Sequence, residues 1–286
     1  MKLNFIDNKF ILGTAQFGDA YGILNYKKKR INNKYIKKII IKAKKKINSI
    51  DTAEDYNIKL PIKKSLSFFN VNTKVDCNIF KNSIQYLNRY FFNIYKNYKI
   101  ETLFIRNLEN KFKDKILIKK VNYIKKKFFI KKIGISIYEY NNIKKLFKVF
   151  KYDTVQLPSN IFDNRSDKLE DFFLKNNIEV HARSIFLQGL IFSKKNFLIK
   201  NFPKYYDKLY LLKKRTNNSK VSLVDLSLTH VIKKRYISKI IIGIFNINQL
   251  NSILNFKIIK DTKFLKYFNT SNLDLIDPRN WSDKKN

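Results

Sequence analysis

The sequence predicts an α/β chain folded as a single-domain (β/α)8 TIM barrel, and three observations point there. Short apolar runs alternate with helical segments, in units of roughly 30 residues, eight times along the chain. The runs are continuous rather than alternating, as expected of parallel strands covered by helices. At 286 residues with 44% hydrophobic content, the chain is long enough for one barrel, which typically takes about 250 residues. An open doubly wound sheet is the competing architecture. No Gly-x-Gly-x-x-Gly follows any strand, so a Rossmann dinucleotide turn is absent from the sequence.

The elements follow in order. Phe10 to Thr14 is a first strand ending in glycine and threonine, and Gln16 to Gly22 reads as a loop. Tyr35, Ile36, Ile39, Ile40 and Ala43 recur at helical spacing, predicting an amphipathic helix over 34–46. The segment Asn48 to Tyr56 reads as a buried strand that stops at Asp51, with a tyrosine five residues later. A helix over 62–69 leads to a third strand, Val71 to Val75, and an aromatic-rich helix over 83–98 to a fourth, Glu101 to Asn107. The remaining strands are Lys132 to Ser136, Asp153 to Pro158, Ile178 to Arg183 and Ile240 to Ile244. Helices are expected over 115–128, 141–150, 167–176, 222–234 and from Ile247 to Leu254. Ser184 to Ile191 opens a turn into a long, irregular, lysine-rich stretch. The barrel takes 1–258, and 259–286 reads as a surface tail anchored by Leu265, Phe268 and Trp281.

Sixty Lys and Arg against 22 Asp and Glu give a formal net charge of +38, a balance typical of binders of nucleic acid or anionic surfaces. The lysines are spread through every candidate helix, not gathered into one arm or stripe. Residues with A/T-rich codons (Lys, Asn, Ile, Phe, Tyr) are over-used, so we read the charge as compositional bias on solvated faces. No specific nucleic-acid partner is expected. Cys77 is the single cysteine, which excludes an intrachain disulfide and a multi-cysteine zinc site and suits a reducing cytoplasm. No apolar run reaches the ~18 residues of a membrane span. Asp7 and Lys9 interrupt the N-terminal apolar stretch, against a signal peptide. His181 lies within a strand and reads as packed core, while His230 has no ligand partner at i+4. No metal site is expected.

In a (β/α)8 barrel the working residues sit at the C-terminal strand ends. Those ends supply Thr14, Asp51 with Tyr56, Lys74, Arg106, Ser136, Gln156, Arg183 and Gly243. Asp51 alone has a plain reading as a turn cap covered by Tyr56. Polar or special residues at all eight strand ends of one rim share no such reading. Asp51, Tyr56 and Lys74 are the types needed for a tyrosine acid tuned by a lysine that an aspartate orients. The ammonium is expected to pull the phenol below its usual value.

The chain resembles the aldo-keto reductases over about Phe10 to Leu254. The carrying motifs are Leu12-Gly13-Thr14-Ala15-Gln16-Phe17-Gly18, Asp51-Thr52-Ala53-Glu54-Asp55-Tyr56, Thr73-Lys74, Ile133-Gly134-Ile135-Ser136, Val155-Gln156-Leu157-Pro158-Ser159-Asn160, and Arg183-Ser184-Ile185-Phe186-Leu187-Gln188-Gly189-Leu190. Ile242-Gly243 followed by Gln249-Leu250 completes the series. The Phe-Leu-Gln-Gly form is similar to a bacterial branch associated with polysaccharide or sugar metabolism. The resemblance implies NADP(H)-dependent reduction of an aldehyde or ketone, with NAD as the other cofactor, and a catalytic set of Asp51, Tyr56, Lys74 and Arg106. Histidine usually stands at the fourth position. Arg106 is permanently charged and cannot act as a neutral imidazole donor.

For the cofactor, the resemblance implies Gly13 and Thr14 at the nicotinamide end, and Ser136 and Gln156 on the carboxamide. Arg183 would take the place of the usual stacked tyrosine. Ser184, Phe186, Leu187, Gln188 and Gly189 would line the pyrophosphate, with Gly243, Phe245 and Gln249 near the adenosine. The competing readings are a catalytically impaired barrel that keeps a cofactor or partner, and a basic RNA-associated protein. The expected partner is a small carbonyl compound, on a monomer or weak homo-oligomer.

Overall fold

The computed structural model describes residues 9–18, 21–23, 30–111 and 113–284, with the side chains of 110 and 282–284 excepted. Asp7, part of the signal-peptide reading, and Asp19 and Ala20 of the first loop lie outside the described residues. Eight parallel strands close into a barrel in the order β1 to β8. They are β1 Phe10–Gly13, β2 Ser49–Ala53, β3 Asn70–Asp76, β4 Ile100–Arg106, β5 Lys132–Ser136, β6 Thr154–Pro158, β7 Glu179–Arg183 and β8 Ile237–Gly243. The amphipathic periods pack outside this barrel, as in the helix Asn33–Lys44, which buries Ile36, Ile39, Ile40 and Ala43 and turns its lysines outward.

Three readings of local structure are corrected. β2 does not stop at Asp51 but runs on through Thr52 to Ala53. Its register continues against β3, with Ala53 level with Lys74, so strand pairing, not the carboxylate, sets its end. The first loop begins as a helical turn, Ala15–Gly18. The lysine-rich stretch after β7 is ordered into helices Lys195–Asn201 and Tyr206–Asn218. Leu198, Phe202, Leu209 and Leu212 supply a sparse apolar face there, which packs on a second apolar cluster with Phe162, Leu190 and Leu226. Leu265, Phe268 and Trp281 of the 259–286 segment are buried in that same cluster, and the Trp281 indole N–H donates to the Asp274 carbonyl at 2.9 Å.

The barrel interior is filled in layers, as close packing requires. Gly134 of β5 makes room for its neighbours: a Cβ there would lie 2.6 Å from both the Phe104 ring and the Thr154 methyl. His181 is buried beside them, edge-on to Phe104 at 5.3 Å between ring centroids, with Nε2 2.7 Å from the Glu179 carboxylate. Register then brings the C-terminal ends level. Gly13 pairs with Asp51 and Gly243, and Ser136 with Arg106 and Gln156.

Candidate active site

Two parallel strands and a third from across the barrel converge on Asp51. Its carboxylate accepts from the Lys74 ammonium of β3 through Oδ2, and from the Gln156 amide of β6 through Oδ1 at 2.8 Å. Its carbonyl takes both the backbone N–H and the hydroxyl of Thr14, at 2.9 and 3.0 Å. All four residues are buried. A buried charge pair survives only with its remaining hydrogen-bonding positions satisfied, and Gln156 fills one of them. Burial lowers the proton affinity of Lys74, and Asp51 opposes it without fully restoring the ordinary value. Asp51 and Lys74 together are close to a neutral unit.

Tyr56 reaches this unit from the turn Glu54–Tyr56 that follows β2. Its ring centroid is 5.5 Å from the Lys74 nitrogen. The turn is clamped at both ends. Glu54 accepts from the Tyr98 hydroxyl at 2.8 Å and from Lys63 at 2.6 Å. On the other side Gly18 lets the chain approach: a Cβ there would stand 1.4 Å from the Tyr56 carbonyl oxygen. The phenol does not titrate as the sequence suggested. Burial, then the Asp51 charge, push it well above its usual value, against Arg106 and Arg183. Lys74 cannot depress it because its charge is already answered by Asp51. Arg106 donates to Asp55 at 2.9 Å through one terminal nitrogen, and its Nε is buried without a partner.

One cavity of about 580 Å³ joins these groups to the strand ends around them. It is lined by Gly13, Thr14, Asp51, Tyr56, Lys74, Arg106, Ser136, Gln156, Arg183, Ser184, Phe186, Gln188, Gly189, Gly243, Phe245 and Gln249. Leu187 is the one sequence-predicted site residue turned away, into the second apolar cluster. Its main-chain role differs from lining: Ser184, Leu187 and Gln188 adopt left-handed backbone with φ of 60°, 46° and 52°, followed by Gly189 at 96°. Non-glycine residues in that region store strain, which clusters at functional turns.

The cavity walls combine polar groups with backbone that glycines leave open. Ser136 and Gln156 are in hydrogen-bond contact at 3.4 Å and present amide and hydroxyl groups at one end. Glycines clear the middle: a Cβ on Gly243 would come within 2.0 Å of the Gln16 amide nitrogen, and one on Gly22 within 3.3 Å of the Phe245 ring. At the far end Asn246 caps the helix Ile247–Leu254, and Gln249 accepts from the Phe245 N–H at 2.8 Å.

Residue-by-residue reading of the sequence missed Tyr21, Gly22 and Tyr138, all of which line the cavity. Tyr138 is held flat between two guanidinium groups, Arg183 at 3.9 Å and Arg279 at 4.1 Å from its ring centroid. Its position two residues beyond Ser136 was the available signal; the partner from the C-terminal segment was not. Among the described residues no group of three or more His, Cys, Asp or Glu is placed to hold a metal ion, and no helix is long and apolar enough to cross a membrane.

Against known proteins, residues 9–267 match the model of the aldo/keto reductase family. The chain belongs to the aldo/keto reductase family. Members use NAD(P)H to reduce carbonyl groups. Among solved structures, the holo form of aldo-keto reductase AKR11C1 from Bacillus halodurans is similar at 15% identity and a TM-score of 0.69, over 92% of this chain and 93% of that one. Its apo form gives 17% identity and a TM-score of 0.67, over 93% and 97%. A thermostable aldo-keto reductase, Tm1743, solved with the inhibitor epalrestat, gives 17% and 0.64 over 90% and 92%. At such identities these likenesses speak for the fold. No curated protein matches the chain in sequence.

Proposed function

We propose that the protein is an NADP(H)-dependent reductase of an aldehyde or ketone, sugar-like in size, with Tyr56 as the general acid. The observation that carries the reading is the convergence of the Tyr56 ring, the Lys74 ammonium and the Asp51 carboxylate on one cavity at the C-terminal strand ends. The nicotinamide, when bound, supplies the hydride. This chain's residues supply the rest. Tyr56 keeps its proton at neutral pH, as a donor to a carbonyl oxygen must. The Asp51–Lys74 pair packs against the phenol as a near-neutral unit, so negative charge developing on Tyr56 as the proton leaves is answered by Arg106 and Arg183. Thr14 and Gln156 fix Asp51, and the Glu54 clamp fixes the Tyr56 turn. Ser136, Gln156, Gly13 and Thr14 would hold the nicotinamide end, and Arg183 would lie against its ring. The left-handed turn from Ser184 to Gly189 would take the pyrophosphate. The single buried thiol, Cys77, suits a reaction carried out in the cytoplasm.

One observation favours NADH as a second reading of the cofactor. The adenosine end of the cavity is lined by Phe245, Asn246, Asn248, Gln249 and Ser252, none of which is a cation. Among the described residues lining that end, a 2′-phosphate would be met by amides and a hydroxyl. Fluorescence titration with NADPH and NADH separates the two. Turnover is tested by the fall in nicotinamide absorbance with a panel of aldehydes and keto-sugars. Tyr56→Phe should lower kcat by about 100-fold or more while cofactor binding stays within a few fold; equal rates in the variant would remove Tyr56 from the acid role.

A further inference from the structure

The charges lining the cavity do not balance. Asp51 is matched by Lys74, and among the described residues no other carboxylate lines the walls, whereas Arg106 and Arg183 both do. Arg183 spends its donors on the Ile137 carbonyl at 2.9 Å and the Ser184 hydroxyl at 3.4 Å, and meets no carboxylate among the described residues. Among the described residues Arg106 has one partner, Asp55, which lies outside the cavity lining and is half exposed. A rim pair of that kind is worth little in itself, but it aims the guanidinium. Among the described residues four of the five N–H donors of Arg106 are then left without an acceptor; its Nε is closed off inside the protein, so a ligand meets the terminal nitrogens of this partly exposed side chain. A neutral aldose can offer those nitrogens oxygen acceptors but leaves the guanidinium charge without a counter-ion in the cavity. A planar anion would satisfy it in the two-pronged geometry that guanidinium favours.

We propose that Arg106 forms an anion subsite beside Tyr56, so that the preferred substrate is a carbonyl compound carrying a carboxylate or phosphate close to the reacting carbon. The proposal rests on the reductase reading for the reaction but not for the binding. Arg106 then serves two ends, holding the anionic substituent and leaving Tyr56 as the donor to the carbonyl oxygen. Arg183, on the wall of the same cavity, adds a second positive charge to the enclosure. The chain's large positive excess draws anions toward the mouth and should make capture salt-dependent.

Matched pairs test this: phenylglyoxylate against its methyl ester for the carboxylate, and glyceraldehyde 3-phosphate against glyceraldehyde for the phosphate. The anionic member of one pair should show a kcat/KM at least about tenfold higher, by a difference that shrinks as salt is raised. Whichever pair responds names the anion. In Arg106→Gln that ratio should collapse about tenfold or more, with Arg106→Lys between, while the exposed Arg89→Gln keeps the wild-type ratio. Neutral members used as well as anionic ones would overturn the subsite. Calorimetric titration with oxamate and with inorganic phosphate provides the arm that needs no turnover. Binding by wild type that Arg106→Gln loses, in a variant with unchanged circular dichroism, upholds the subsite even if no carbonyl is reduced. Equal affinity in both proteins, or binding of neither anion, overturns it.

Discussion

Glu109 is buried in the turn after β4, with Oε2 lacking a partner. Burial, and then Glu139, raise its proton affinity to about 7, against Arg279 and Arg183. A carboxyl raised from its unfolded value of 4.5 is held most comfortably when protonated. Its environment therefore costs nothing below about pH 4.5, and the cost grows as pH rises toward 7. Glu109→Gln should thus stabilise the protein above pH 7, by on the order of 1–3 kcal/mol, and have little effect at pH 4.5. Urea midpoints at the two pH values check it; a variant less stable at pH 8 than the wild type would mean that the ionised carboxylate has a partner worth more than its burial costs. Gly18 is the second residue on which much depends. Its missing side chain admits the Tyr56 carbonyl, and a backbone neighbour cannot step aside as a flexible side chain can. Gly18→Ala should displace the Tyr56 turn and lower kcat by about 100-fold, the usual penalty for a misplacement near 1 Å, with nicotinamide affinity nearly unchanged. A wild-type rate in this variant would show that the turn re-forms without Gly18.

At the scale of elements, the strands were legible because continuous β-branched runs such as Ile240-Ile241-Ile242 have few alternatives, and Lys132–Ser136 and Ile247–Leu254 match the sequence reading at both ends. Asp51, Lys74 and Gln156 were legible as strand-end residues, but their three-way bond was not: it joins positions 105 residues apart, and no local spacing encodes it. The helices Lys195–Asn201 and Tyr206–Asn218 were hidden because lysines and polar residues dilute their apolar face. What stabilises them is the second cluster and the chain's last segment, which only the fold brings near. A polar junction beneath that cluster carries its own prediction. His230 Nε2 donates to the Asn164 side-chain oxygen at 2.7 Å, which also accepts from Lys234 at 2.6 Å. Burial and Lys234 lower His230 to about 4, against Asp167. The neutral ring is the one the fold accepts, so its stability contribution is complete above the unfolded value of 6.5 and is lost as pH falls toward 4. Between pH 7 and 4.5 the wild type should lose more stability than His230→Gln, by up to about 3 kcal/mol. Parallel melting curves for the two proteins would refute the assignment.

Across the whole molecule, the +38 charge acts as a load on the fold. The described carboxylates are largely engaged: Asp153, Asp167, Glu101, Glu170 and Glu179 each hold a lysine or arginine. The surplus lysines therefore crowd helix surfaces such as those around Lys37-Lys38 and Lys126-Lys127. Like charges on a compact body repel more than the same charges on an expanded chain, so folding concentrates the repulsion. Added salt screens it, since the Debye length falls from roughly 30 Å at 0.01 M to about 8 Å at 0.15 M. The melting temperature should accordingly rise by several degrees from about 0.01 to 0.3 M sodium chloride, the range over which the screening length shortens most. Potassium chloride should do the same, because the effect belongs to ionic strength and not to a bound ion. Capture of an anionic substrate through Arg106 should weaken over the same range, giving opposite slopes for stability and for affinity. A melting temperature that stayed flat or fell with salt would mean that the lysines are spaced widely enough not to feel one another. The charge would then be neutral for the fold, and electrostatic steering toward the cavity would have to come from Arg106 and Arg183 alone.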